Sequence, residues 1–205
     1  MKTVSFDNRP VQPSKIICIG MNYTRHIEEL GNQVPDNLVV FLKPNSAIGN
    51  ELNSSLQDEP LHYEGEISLM VMGGRLAGVG FGLDLTRREL QSRLKSRGLP
   101  WERAKAFDGA ALFSSFAPLT VPIDSLEVQL CIDGEERQRG DVSMMLYSPA
   151  TILEDLSAFM SLEDGDIVMT GTPAGVGPVT PGADFHGRVL SGGVVQAEGR
   201  WRALM

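Results

Sequence analysis

The chain has 205 residues, 42% hydrophobic and 21% charged, with a formal net charge of −8. This length fits one domain with a sizeable core, and the acidic balance argues against nucleic acid or an anionic membrane surface as partner. No apolar run approaches the ~18 residues of a membrane span, the start MKTVSFDNRPVQ lacks a signal-peptide core, and two isolated cysteines, Cys18 and Cys131, give no disulfide framework. The expected setting is therefore reducing and cytoplasmic.

Residues 1–14 are polar, contain two prolines and read as a short lead-in to a single domain spanning 1–205. Lys15 to Ile19 (KIICI) is a buried-strand candidate ended by Gly20. In MNYTRHIEELG, Asn22 can cap a short helix that Gly31 stops. His26 and Glu29 then share a face, and the glutamate can fix the imidazole tautomer and raise its basicity, as a general base requires. The same spacing also suits a solvated helix with an incidental neighbour. Leu38 to Leu42 is another buried strand, closed by Lys43-Pro44, and residues 45–60 read as a polar surface loop.

The run His62 to Met72 has strand character, and its alternation puts Glu64, Glu66 and Ser68 on one face. Residues Leu69 to Met72 are apolar on both faces, which implies burial, and buried carboxylates need a partner. Gly78 to Asp84 alternates glycine with bulky residues and brings Asp84 onto the glycine face, where a ligand can approach closely. Three carboxylates converging from strands make a seat for a hard divalent cation such as Mg²⁺. Thr86-x-x-Glu89 has the form of a capping box, so a helix is expected from about Arg87 to Arg97 with Gly98 as its stop. Arg88 and Gln91 share one face of it, as surface side chains or as contacts to a ligand.

Lys105, in a mostly apolar stretch, is either a snorkelling stem or a catalytic cation. Leu126 to Ile132 begins a hairpin turning at Asp133-Gly134. Ser148-Pro149 opens a helix with a core-facing stripe of Ile152, Leu153, Leu156, Phe159 and Met160. Asp166 to Thr170 is a strand leading into GTPAGVGP, which has no Gly-Lys-Ser/Thr ending and no following helix pattern, so neither a P-loop nor a dinucleotide site is present. Its backbone N–H groups and the Thr172 hydroxyl remain available to a small carboxylate. Two further strands, joined at Ser191-Gly192-Gly193, complete the chain.

In order, GMNYTRHIEELG (20–31), VVFLKP (39–44), HYEGEI (62–67), GFGLDLTRRELQ (80–91), KAFDGAALFSSFAP (105–118) and MTGTPAGVGP (169–178) resemble the fumarylacetoacetate hydrolase family. The resemblance covers nearly the whole chain. It implies an α+β, mainly β fold, the mixed β-sandwich roll of that family's C-terminal domain, in a homodimer. It also implies Mg²⁺, or alternatively Mn²⁺ or Ca²⁺, held by Glu64, Glu66 and Asp84. By position, the family's lid histidine and glutamate fall on His26 and Glu29 and its active-site lysine on Lys105, the three catalytic candidates. Arg88, Gln91 and Thr172 take the substrate-binding positions. Two departures stand out: Gly73-Gly74-Arg75 replaces a short helical insertion common in members, and Met21 stands where an arginine is common before the Asn-Tyr pair.

The activity expected from the resemblance is hydrolysis of acylpyruvate-type 2,4-dioxo acids, such as fumarylpyruvate or acetylpyruvate, to pyruvate and a carboxylic acid. The cation acts as Lewis acid, His26 activates water and Lys105 stabilises the developing negative charge. The alternative is an isomerase, tautomerase or decarboxylase of small oxo acids, oxaloacetate among them, on the same site. A non-catalytic cation-binding protein is the third reading, and it gives His26, Glu29 and Lys105 no role.

Overall fold

The structure, a computed structural model, describes residues 1–24, 29 and 34–205. Eleven of its strands serve to place the site: β1 (Lys15–Gly20), β2 (Val39–Pro44), β3 (Glu59–Tyr63), β4 (Gly65–Met72), β5 (Arg75–Asp84), β6 (Ala111–Phe113), β7 (Leu126–Ile132), β8 (Glu135–Asp141), β9 (Ile167–Met169), β10 (Asp184–Ser191) and β11 (Val194–Leu204). One mixed sheet runs β2-β1-β9-β4-β5-β6 and ends on the two-residue strand Ile48–Gly49. Only β1–β9 and the β6 pairing with Ile48–Gly49 are parallel in it. The second sheet runs β8-β7-β10-β11 and ends on Leu52–Asn53. Three helices are described: α1 (Arg88–Ser96), α2 (Glu102–Lys105) and α3 (Pro149–Phe159). The mainly β fold expected from the sequence is the fold observed.

The core lies where β5 crosses the second sheet. Phe81, Val128, Leu130 and Val189 are fully buried there, each such side chain contributing roughly 1.5–3 kcal/mol by leaving water. The Phe81 ring lies over Gly187, where a Cβ would collide with it, and meets Trp201 at a centroid distance of 5.9 Å. The turns follow their chemistry: Asp133-Gly134 and Gly192-Gly193 join their hairpins at positive φ. Gly73-Gly74, at φ 60° and 70°, lets β4 pass into β5 in two residues.

Four local expectations are corrected. Residues 1–14 are more than a lead-in, because Val4–Phe6 pairs with Arg9–Val11. The polar stretch 45–60 contains short strands, with Ala47 and Leu52 buried; their isolated apolar residues carry too little periodicity to be seen. The run His62 to Met72 is interrupted at Glu64, where the chain leaves the small sheet of β3 for the large one. On α3, Ile152 and Leu156 face the core while Phe159 is 61% exposed. Met160, the residue after it, packs partly buried against the same cluster as Ile152 and Leu156.

Asp166 pins the start of β1 to the strand beside it. Its buried carboxylate accepts from the Ser14 and Lys15 N–H groups, the Ser14 hydroxyl, Lys15 Nζ at 2.5 Å and the Glu163 N–H at 2.9 Å. Burial works to raise its pKa, but those donors outweigh it and hold the group below its ordinary value. A depressed folded pKa gives stability that is present above the unfolded value and lost as pH falls through the folded one. Asp166→Asn should therefore flatten the acid limb of the stability curve below about pH 4, measured by urea unfolding at stepped pH, and lower stability at pH 7.

Candidate active site

The carboxylate cluster is built from two chain reversals. Gly65 and Glu66 on β4 pair with Leu83 and Gly82 on β5, and the Asp84 N–H donates to the Glu64 carbonyl at 2.9 Å. This register brings Glu64, Glu66 and Asp84 together, each offering an oxygen within 4.8 Å of the other two, all buried. Among the described residues no other group of His, Cys, Asp or Glu does so. Burial, then the charges of Asp84 and Glu64, push the Glu66 carboxyl well above the usual carboxylate range, although the Gly171 N–H, 2.8 Å from Oε2, pulls the other way.

Three cations share the cluster. Lys105 Nζ donates to Glu64 Oε2 at 2.7 Å, Asp84 Oδ2 at 2.8 Å and Thr86 Oγ1 at 2.6 Å, so all three of its protons are placed. Burial acts against that ammonium, but the charges of Asp84 and Glu64 outweigh it and hold its pKa above the ordinary lysine value. Arg88 bonds Glu64 Oε1 through one nitrogen and Gln91 Oε1, at 2.8 Å, through another. The third cation is Lys43, fully buried, with Nζ 2.8 Å from Asp84 Oδ1 and donating to the Lys105 carbonyl. Thr86 has been drawn into this network, and Arg87 rather than Thr86 stands at the start of α1, with no side-chain cap bond. The capping box is not formed; Gly98, at φ 63°, stops the helix as expected.

The cluster suits a hard divalent cation. Its donors are all carboxylate oxygens, and Asp84 Oδ1 is buried without a hydrogen bond despite its ion pair with Lys43. Against the Asp84 and Glu64 charges, Glu66 has the Gly171 N–H and, after it, the Lys105 charge.

The loop after β9 binds carboxylates, but they are the protein's own. Gly171 N–H holds Glu66, and Gly175 N–H lies 3.1 Å from each carboxylate oxygen of Glu29. The loop thus joins the carboxylate cluster to Glu29. Its partner by spacing, His26, lies outside the described residues. Thr172 lines the cavity above the cluster, but its hydroxyl donates to Gly65 O at 2.9 Å and accepts from Gln138 Nε2 at 2.8 Å. Its proton is therefore committed to the backbone between the two glutamates.

Sequence reasoning missed Lys43 and Gln138. Lys43 closes an apolar strand, and a lysine there has to be buried with a counter-charge; that was the readable signal. Gln138 had none, because its partners are remote in sequence. Its amide donates to Thr172 Oγ1 and to Pro173 O, both at 2.8 Å, and accepts from Gly65 N–H at 2.9 Å. Gln138→Met, which keeps the volume and removes all three bonds, should weaken divalent-cation binding and turnover by about 10–100-fold. Mn²⁺ titration beside steady-state kinetics measures both.

The chain is thus a mainly β roll with three buried carboxylates, able to hold a metal ion, beside Arg88 on α1. Residues 15–200 match the fumarylacetoacetate (FAA) hydrolase C-terminal family, and the chain belongs to that family. It is 36% identical over 189 residues to the oxaloacetate tautomerase YcgM of Escherichia coli strain K12, covering 84% of this chain and 86% of that protein. It is 33% identical over 185 residues to a mitochondrial oxaloacetate decarboxylase of Dictyostelium discoideum, covering 82% and 85%. The crystal structure of fumarylpyruvate hydrolase from Pseudomonas aeruginosa in complex with Mn²⁺ and pyruvate superposes with a TM-score of 0.88 at 31% identity, covering 100% and 97%. No described helix is long and apolar enough to cross a membrane.

Proposed function

We propose that the protein is a divalent-cation-dependent tautomerase of oxaloacetate, interconverting its keto and enol forms. The reading is supported above all by the 36% identity to an oxaloacetate tautomerase across 84% of the chain. It replaces acylpyruvate hydrolysis as the leading activity. Glu64, Glu66 and Asp84 would hold the cation, with Mg²⁺ the first candidate from the all-oxygen donor set. When bound, the ion supplies Lewis-acid polarisation of the 2-oxo group.

The remaining work falls to side chains. Arg88 and Gln91, already bonded to each other, present a planar donor set to a substrate carboxylate. His26, with Glu29 as its partner by spacing, would move the proton at C3, and the Gly175 N–H holds the Glu29 carboxylate in place. Lys105 can turn a proton toward the substrate oxygen only by releasing Glu64, Asp84 or Thr86. Thr172 supports the glutamate pair rather than donating through its hydroxyl.

Hydrolysis of a 2,4-dioxo acid is the second reading, favoured by the likeness to fumarylpyruvate hydrolase. The test is a panel of enol-oxaloacetate, acetylpyruvate and fumarylpyruvate, each with Mg²⁺ and with EDTA, followed in the ultraviolet. Mg²⁺-dependent loss of the enol without acylpyruvate cleavage supports the proposal, and cleavage without enol loss overturns it. The homodimer is also proposed: exposed Leu42, Leu99 and Phe159 edge a groove of about 580 Å³ beside the site, and sedimentation tests whether a second copy covers it.

A further inference from the structure

We propose that Lys95 recognises a second carboxylate on the ligand, so that the site selects dicarboxylic over monocarboxylic acids; this rests on the small oxo-acid reading above. The cavity over the carboxylate cluster is lined by three cations, Arg88, Lys95 and Lys105. Arg88 and Lys105 each donate to the cluster itself. Lys95 stands farther along α1, in register with Arg88 and Gln91 at i, i+3 and i+7. Side chains on a helix lean toward its N-terminus, so the long Lys95 stem is directed back toward the turn that carries Gln91 and Arg88.

The surroundings of the ammonium also suit an anion. It lies 5.6 Å from the Trp101 ring centroid, and Trp101 lines the same cavity. Among the described residues, the uncharged Ile19, Gly20 and Met21 also line this cavity. Burial and then the Arg88 charge lower the Lys95 pKa, with the Glu64 charge acting the other way, and a bound carboxylate would add to that favourable charge. With three cluster carboxylates facing three lining cations and Lys43 behind Asp84, a divalent ion leaves the cavity strongly positive, which suits a dianion better than a monoanion.

The test uses malate and lactate, 2-hydroxy acids that cannot enolise and differ by one carboxylate. Each is titrated calorimetrically into the Mg²⁺-loaded wild type, Lys95→Met and Lys95→Arg. Wild type should prefer malate. Lys95→Met should weaken malate by about 10–100-fold while leaving lactate within about twofold, and Lys95→Arg should retain most of the preference. Equal weakening of both acids, no change in either, or a wild type without preference for malate overturns the inference. A malate preference abolished by Lys95→Met in a protein that leaves oxaloacetate untouched would sustain the inference while refuting the tautomerase proposal.

Discussion

Glu66→Gln should melt at a higher temperature than the wild type in EDTA, yet bind divalent cations about 10²–10³-fold more weakly. The two effects have one cause. Burial and the neighbouring Asp84 and Glu64 charges raise the Glu66 pKa in the folded protein. A carboxyl with a raised folded pKa contributes stability that is fully present below its unfolded value, about 4.3, and is lost as pH rises through the folded value. Glutamine keeps an acceptor for the Gly171 N–H, 2.8 Å away in the wild type, without the charge that burial penalises. The metal-free mutant should therefore lose the wild type's fall in stability with rising pH, and each kcal/mol gained should appear as about 2–4 °C in melting temperature. Outer groups around metal ligands already cost 10–100-fold, so loss of a ligand charge costs more, and turnover should fall with it. Melting curves from pH 5 to 9 with EDTA, beside a Mn²⁺ titration, read both. A mutant less stable without metal and unchanged in cation affinity would contradict this role.

Lys43→Met should destabilise the protein by about 3–5 kcal/mol, the cost of removing one partner from a buried ion pair. At this chain length that is a melting temperature lower by about 6–20 °C. The full value applies because the Lys43 side chain is 0% exposed, so solvent screens nothing, and Nζ lies 2.8 Å from Asp84 Oδ1. The same ammonium donates to the Lys105 carbonyl, tying the end of α2 to the cluster. Adding Asp84→Asn should recover part of the loss, because the uncompensated charge is then gone. Denaturant unfolding of both single mutants and the double mutant gives the coupling; strict additivity would show that the pair is not the source.

Much of the site was legible because strands alternate. Glu66 and Asp84 could be placed on one cluster from period two and a glycine face, and the Gly73-Gly74 turn from its sequence. Glu64 joined them by a different route, at a break between sheets, held by the Asp84 N–H bond to its carbonyl. What stayed hidden depends on contacts between remote segments. Thr86 looks like a helix cap from its neighbours, but Lys105, 19 residues on, takes its hydroxyl. Gln138 reads as an ordinary strand polar residue until Gly65 and Thr172, more than 30 residues away on either side, are brought against it. The GTPAGVGP loop was legible as a carboxylate binder, though not as a binder of Glu66 and Glu29.

The most direct test of a cation-centred tautomerase is hydrogen exchange at C3 of oxaloacetate in D₂O, followed by proton NMR with wild type and Glu66→Gln. Tautomerisation passes a C3 proton to solvent, so wild type with Mg²⁺ should exchange C3 well above the enzyme-free rate and faster than it releases pyruvate, while EDTA or Glu66→Gln returns exchange to background. Wild-type exchange at the enzyme-free rate, or exchange indifferent to EDTA and to Glu66→Gln, would contradict it.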